Sequence, residues 1–381
     1  MTDPVAALLR EAAARWGTPL YVTDLDAASA RARAWADALP GASVAYAVKA
    51  NPDPALLRRL AAEGHGFEVV GPVELELALR AGADPARIVV NGVGQADADL
   101  HAALATGALV NAESLGGLDA LLGAPDGGRI GVRINPALEA DTHDHLATGA
   151  AGSKFGIALD ELPEALRRIR AADARLESIG AHIGSDIADP EPFRRLAELL
   201  VRLAREAGVE HVDLGGGWRG DPAAYASAVA PALPNDIGIT VEPGRSIVAE
   251  AGWLLTRVVR VQARGHLVAD AGMTELIRPM LYGAVHPVEL LEPGALLPSR
   301  GPWTLAGPVC EAGDILARDV ELGPAAGEGA LLAIGEAGAY GLAMASSYNG
   351  RLRPAQAVIE GGEVRLSRRR ETLEDLVARD L

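Results

Sequence analysis

Eight short apolar runs, each followed by a stretch with helical spacing, leave this chain few ways to fold. They read SVAYAVKA, GFEVV, RIVVNG, ALVNAES, RIGVRINP, SIGAHIGS, HVDLGGG and GITVEP. Amphipathic segments such as DPALLRRLAAEG and PEPFRRLAELLVRLAREAG lie between several of them. Strands that are apolar on both sides need cover on both faces, and alternation with helices makes them parallel. Eight such units predict a closed (β/α)8 barrel over residues 26–250. An open doubly wound sheet is the competing layout, but no GxGxxG follows the first strand.

After residue 250 the pattern changes. RVVRVQAR, HLVADAG, GPWTLAG, GALLAIG and QAVIEGGEVRLSRR are strand-like runs joined by Gly, Pro and Asp turns, with little helix between them. They predict a β-rich domain over residues 251–381. The early run TPLYVTD is expected to pair with it, so residues 1–25 and 251–381 would form one domain around an inserted barrel. The Gly/Pro-rich stretch 288–302 reads as a connection.

Composition narrows the class. Aromatics are only 4% of the chain, so the core must be built mainly from Ala, Val, Leu and Ile. The 51 acidic and 35 basic residues give a formal charge of −16, which opposes non-specific binding to nucleic acid. No run approaches the roughly 18 apolar residues of a membrane span. The opening MTDPVAALLREAAARWG reads as an acid-bearing amphipathic helix rather than a targeting peptide. A single cysteine, Cys310, excludes an intrachain disulfide framework and a cysteine-based zinc site. A cytoplasmic location, without membrane or metal, is the expectation.

Barrel active sites sit at the C-terminal ends of the strands. Those positions here are Lys49, Glu68, Asn91, Glu113, Asn135, His182, Gly215 to Gly217 and Glu242 to Arg245. A lysine at a barrel mouth loses part of its hydration, which frees the amine as a nucleophile. The competing reading is a strand-end lysine reaching for water. Gly215, Gly216 and Gly217 let the backbone approach an anion, and EPGRS follows the eighth strand. The loops after strands seven and eight of a barrel commonly hold phosphate. One cofactor accounts for a lysine, a flat histidine, a phosphate cradle and a buried carboxylate at the same mouth. Pyridoxal 5′-phosphate needs a Schiff-base lysine, a phosphate site and an acid beside its ring nitrogen.

At this point the sequence resembles a known family. YAVKAN, RINP followed by TG and KFG, HIGS, DLGGG, EPGRS, DAGMTELIRPMLYGAVHP, GPVCEAGD and GAYGLAMASSYNGRLRP occur in order over almost the whole chain. Together they are similar to the fold-type III, alanine-racemase-like pyridoxal-phosphate decarboxylases, most of all the diaminopimelate decarboxylase group. The resemblance implies that Lys49 binds the cofactor as an imine, that His182 stacks on its ring and that Glu242 pairs with its ring nitrogen. Ser185, Gly215, Gly216, Gly217, Gly244 and Arg245 would hold the phosphate end. Arg245, Arg278, Tyr282, Glu311 and Tyr348 would contact substrate, with Tyr348 also reaching the cofactor. Cys310 and Glu311 would come from the partner subunit of a head-to-tail homodimer, and Cys310 would protonate the carbon that loses CO2.

Substrate chemistry follows from side-chain type. Arg278 and Tyr282 suit a distal carboxylate, and Glu311 suits the ammonium beside it. An amino acid with both groups at its far end is meso-2,6-diaminopimelate, whose decarboxylation yields L-lysine. A decarboxylase for another amino acid, free or carrier-bound and possibly of D configuration, stays open at this point. So do a racemase on the same fold and a non-catalytic cofactor-binding regulator. Several positions depart from the family pattern: Gly71-Pro72-Val73-Glu74 after Glu68, Asp186 after HIGS, Trp218-Arg219 after the glycines, and Val285 before His286.

Overall fold

The computed structural model describes residues 2–138, 148–149, 152–297, 301–378 and 380. The chain divides into two compact units, one of residues 29–247 and one of residues 1–28 with 248–381. In chain order the strands are β1 (Leu20–Asp24), β2 (Ser43–Ala47), β3 (Gly66–Val69), β4 (Ile88–Val90), β5 (Leu109–Ala112) and β6 (Arg129–Asn135). They continue as β7 (Ile157–Ala158), β8 (Leu176–Gly180), β9 (His211–Asp213), β10 (Gly238–Val241), β11 (Gly252–Gln262) and β12 (His266–Ala269). The last six are β13 (Val288–Glu292), β14 (Trp303–Ala306), β15 (Ile315–Val320), β16 (Leu331–Ile334), β17 (Ala355–Glu360) and β18 (Glu363–Arg368).

In residues 29–247 the strands β2, β3, β4, β5, β6, β8, β9 and β10 are all parallel, and β10 returns to β2. That closure makes a (β/α)8 barrel and removes the open-sheet alternative. The two-residue β7 adds to the end of β6 outside the ring. The covering helices form where the sequence has helical apolar spacing. Helix Glu191–Ala207 buries Phe193, Leu196, Ala197, Leu200, Val201 and Ala204 on one face and stops at Gly208, whose φ is 72°. Asp53 caps helix Pro54–Ala62 by accepting the Ala55 N–H at 2.7 Å.

Few aromatics are available, and four of them are spent in one place. Phe193 meets Tyr225 edge-on at 5.0 Å and Trp218 at 6.0 Å, and Trp35 meets Tyr225 at 5.1 Å. The Trp35 indole donates to Ser246 Oγ at 3.0 Å. The cluster therefore braces the segment that follows the EPGR turn.

In the other unit, β1 runs antiparallel to β11 and parallel to β17, with Leu20 opposite Leu255 and Ala355. The path β15-β14-β12-β11-β1-β17-β18 is extended by β16 on β11 and β13 on β16. Two of these strands lie where no strand was expected. VELLE forms β13 within the Gly/Pro-rich stretch, of which residues 298–300 lie outside the described residues, and ILARDV forms β15. Both are short and carry charges, so neither shows an apolar run, and sheet pairing decides their conformation. No helix among the described residues is long and apolar enough to cross a membrane.

Candidate active site

Strand β2 ends one residue pair before the lysine. Lys49 sits on the single turn Val48–Ala50 rather than in the strand itself. The turn is fixed on both sides: Ala47 N–H donates to the Pro243 carbonyl at 3.2 Å, and Tyr46 Oη donates to the Asn51 carbonyl at 3.1 Å. Lys49 Nζ forms an ion pair with the Glu68 carboxylate at the end of β3. Its side chain is 32% exposed, whereas that of Glu68 is 1% exposed. The lysine is thus held by a carboxylate rather than by apolar walls.

Behind it runs a buried polar layer. Asn91 Nδ2 donates to Glu68 Oε1 at 3.2 Å and to Glu242 Oε1 at 2.8 Å. Asn111 Nδ2 donates to Asn91 Oδ1 at 2.9 Å. Glu113 accepts from Gly92 N–H at 2.7 Å and from Arg133 Nη1 at 3.1 Å. Asp213 accepts from Gly215 N–H at 2.8 Å, and His182 Nδ1 accepts from Gly216 N–H at 3.0 Å. A small cavity is bounded by Asn91, Asn111, Arg133, His182, Asp213 and Glu242. Asn111, Arg133 and Asp213 were not singled out from the sequence. Asp213 reads as a turn residue in DLGGG, and Arg133 lies two residues before the strand-end Asn135.

The electrostatics follow from this geometry. Burial, then the neighbouring Asp213 and Glu68 carboxylates, push the Glu242 carboxyl well above its ordinary value. Burial likewise pushes Asp213 up to about 6. Burial and the cations Arg133 and Lys49 hold the His182 imidazole far below its usual value, so it is neutral at physiological pH. A neutral ring whose Nδ1 is already an acceptor is well suited to lie against another flat group.

Glycines bring three loops into backbone contact at the same end of the barrel. Gly215 and Gly217 have φ of 65° and 101°, which favour glycine. A Cβ on Gly216 would lie 2.1 Å from the Glu242 carbonyl, and one on Gly217 would lie 1.9 Å from the Gly184 carbonyl. On Gly244 it would lie 3.0 Å from the Cβ atoms of Ala47 and Ala50. Arg245 Nη2 donates to Ser185 Oγ at 3.0 Å beside this loop cluster. The helix after EPG is only Arg245–Val248. One turn has little aligned dipole, so an anion here would depend on Ser185, Arg245 and loop N–H groups other than those of Gly215 and Gly216, which already donate to Asp213 and His182. The barrel therefore brings together Lys49, His182, Ser185, Gly215, Gly216, Gly217, Glu242, Gly244 and Arg245.

The remaining candidates lie in the other unit. Arg278 opens the short helix Arg278–Tyr282 and is buried, with Nη1 at 3.4 Å from His286 Nε2. Cys310 is exposed and belongs to no disulfide. Tyr348 Oη donates to Glu311 Oε1 at 2.5 Å, and that bond raises the Tyr348 hydroxyl above its ordinary value.

A parallel barrel with a lysine, a buried acid and glycine loops at one end is a scaffold suited to a cofactor enzyme. The profile described as pyridoxal-dependent decarboxylase, pyridoxal binding domain, matches residues 25–249. The chain belongs to the pyridoxal-dependent decarboxylase family. It is 44% identical to the diaminopimelate decarboxylase of Deinococcus radiodurans over 98% of both chains. It is 42% identical to that of Pseudomonas aeruginosa, covering 97% of this chain and 94% of the relative. The crystal structure of diaminopimelate decarboxylase from Helicobacter pylori complexed with L-lysine superposes with a TM-score of 0.91 at 32% identity, covering 97% of this chain and 98% of that one.

The donor set suits a pyridoxal ring with a phosphate tail. It offers one amine, one buried carboxyl held above its usual value, one neutral imidazole and a side-chain-free loop cluster. The state of Glu242 is measurable in cofactor-stripped protein. Because its folded value is raised, the folded chain keeps a proton that the unfolded chain releases, so stability falls as pH rises through that window. Glu242→Gln removes this penalty and keeps an oxygen for Asn91. Urea denaturation should find the variant more stable than wild type at about pH 8, with the gap closing as pH falls toward the ordinary glutamate value of about 4.3. A gap that does not vary with pH contradicts a protonated Glu242.

Proposed function

We propose that this chain decarboxylates meso-2,6-diaminopimelate to L-lysine and CO2, using pyridoxal 5′-phosphate held through Lys49. The observation that carries the reading is the near full-length similarity to diaminopimelate decarboxylases, taken with a buried arginine, Arg278, in the β unit. When bound, the cofactor supplies a sink for the electron pair left at the α-carbon as the bond to CO2 breaks. The chain's own groups do the rest. Lys49 would hold the cofactor covalently, His182 would serve its ring face and Glu242 its ring nitrogen. Ser185, Gly215, Gly216, Gly217, Gly244 and Arg245 enclose the phosphate.

Substrate selection in this reading belongs mainly to the β unit. The Arg278 guanidinium offers a forked pair of donors to the distal carboxylate, with Tyr282 beside it, and Arg245 and Tyr348 complete the contacts. Glu311 receives the distal ammonium. Cys310 gives its S–H proton to the α-carbon, forming the C–H bond that replaces the bond to CO2. Cys310 and Glu311 act on the partner's site in a head-to-tail homodimer. Exposed apolar side chains on the β unit, with Met280 50%, Leu281 41% and Val285 91% exposed, support burial by a second copy. Assembly would then exchange the intrachain Tyr348–Glu311 bond for substrate contacts. We place the reaction in the cytoplasm, where a catalytic thiol stays reduced.

Three measurements test this. Lys49→Ala protein should lose both the visible absorbance of added pyridoxal 5′-phosphate and CO2 release from meso-diaminopimelate; a coloured, active variant ends the assignment. Arg278→Ala should raise KM for meso-diaminopimelate by about 10- to 100-fold, the loss of one charged hydrogen-bonded contact. An unchanged KM places the distal carboxylate elsewhere. Lys49→Ala and Cys310→Ala proteins should each be inactive, yet regain part of the activity when mixed into heterodimers, and no recovery in verified heterodimers rejects shared sites.

A further inference from the structure

One buried carboxylate in the β unit ties together two loops that carry candidate substrate groups. Asp314 is 2% exposed. Its Oδ1 accepts the Met273 N–H at 2.6 Å, and its Oδ2 accepts the Val309 N–H at 2.7 Å. Met273 lies in the turn in which the Gly272 carbonyl accepts from Glu275 N–H at 3.0 Å and from Leu276 N–H at 2.9 Å, just before helix Arg278–Tyr282. Val309 immediately precedes Cys310 and Glu311. The backbone of Asp314 closes the same loop. Its N–H donates to the Glu311 carbonyl at 3.1 Å, and its carbonyl accepts from Gly307 N–H at 2.9 Å.

Two glycines make room for this carboxylate. A Cβ on Gly307 would lie 2.3 and 2.4 Å from the Asp314 oxygens, and one on Gly272 would lie 2.7 Å from both. Neither glycine is needed there for a left-handed backbone, since neither has a positive φ. Their smallness serves the acid. The bland alternative is a loop acid that only adds stability. Against it stands the placement: a six-residue stretch from Val309 to Asp314 presents two exposed groups, Cys310 and Glu311, and the Asp314 side chain ties that stretch to the Met273 segment.

We propose that Asp314 is a positioning residue for Cys310 and Glu311, fixing their loop to the Met273 segment. The proposal rests on the functional reading above for the roles of those two side chains. The anchor runs into Arg278, so in a dimer with shared sites a loop offered to one site is braced on the segment serving the other.

The test combines hydrogen exchange, which is independent of activity, with kinetics. In wild-type holoenzyme, residue-resolved exchange should find the amides of Met273 and Val309 both protected; fast exchange at either overturns the proposal whatever the variants do. Asp314→Asn removes one acceptor and sets an amide N–H against a backbone N–H. It should release both segments together, although only one carries the substitution. It should also lower kcat by about 10- to 100-fold, the scale expected for a reacting group displaced by about 1 Å. Affinity for pyridoxal 5′-phosphate, read by absorbance, should not change. Gly307→Ala should reproduce these effects, and the double variant should be no worse than the more damaged single one, because both remove one interaction. Retained protection of the Met273 segment in Asp314→Asn, or additive losses in the double variant, overturns the proposal. If the wild-type enzyme proves inactive on diaminopimelate, the kinetic arm tests the functional reading while exchange still decides the tether.

Discussion

The barrel mouth carries more buried negative charge than its cations balance. Glu68, Asp213 and Glu242 are 1%, 3% and 5% exposed, and Glu113 is 6% exposed. Opposite them stand Lys49 and Arg133, of which Arg133 is bonded to Glu113 and Lys49 to Glu68. Burying an uncompensated carboxylate costs several kcal/mol, and the group responds by keeping its proton. This explains why the surplus falls on Glu242 and Asp213, which have no paired cation among the described hydrogen bonds. A site with a stored proton and an acid deficit of positive charge is matched to a ligand bearing a basic ring nitrogen. Asn91 ties the arrangement together because one amide group donates to both Glu68 and Glu242. Lys49, Glu68, Asn91 and Glu242 therefore belong to one hydrogen-bonded unit rather than to two separate sites.

The backbone contributes a second constraint. Loops after β8, β9 and β10 approach so closely that Gly216 and Gly217 leave no space for a methyl group. Such packing costs side-chain burial and conformational entropy, and the aromatic group of Trp35, Phe193, Trp218 and Tyr225 offsets part of it from outside the strands. The bridge between Ile187 and Trp218 joins the same loops, with Ile187 N–H donating to the Gly217 carbonyl at 3.0 Å. The glycine loop and its aromatic support are therefore parts of one continuous structure. That is a physical reason for Trp218 to follow the glycines.

Much of this was legible beforehand because of what parallel strands require. All eight barrel strands announced themselves as apolar runs, since each is covered on both faces. Lys49, His182 and Glu242 stood out as polar residues ending those runs. Asp213 and Arg133 did not, because an acid beside glycines reads as a turn and an arginine inside RIGVRINP reads as an edge residue. Their partners, Gly215 N–H for one and Glu113 for the other, become neighbours only through barrel closure. In the β unit, β13 and β15 were illegible for a related reason. Their residues are charged or next to proline, and their conformation is decided by pairing with β16 and β14. Asp314 ends the motif GPVCEAGD, but nothing in that string shows that its oxygens reach two separate backbone segments.

Two of the departures from the family pattern, Asp186 and Arg219, are intelligible as a pair. Asp186, with φ of 67°, occupies a left-handed position that aspartate tolerates better than most side chains. It lies 3.6 Å from Arg219 Nε and 3.9 Å from Arg245 Nε. An acid beside a loop cluster suited to phosphate would by itself repel the ligand. Arg219, the other unusual residue of this region, brings a compensating positive charge to the same carboxylate. The Asp186–Arg219 pair is partly exposed, with Asp186 at 31% and Arg219 at 62%, so this interaction is worth at most about 1 kcal/mol. Small, mutually offsetting changes of this kind alter the rim while leaving Lys49, Glu68, Asn91 and Glu242 in place. Variation at the rim is thus compatible with an unchanged polar layer, because Glu68, Asn91 and Glu242 are buried whereas Asp186 and Arg219 are partly exposed.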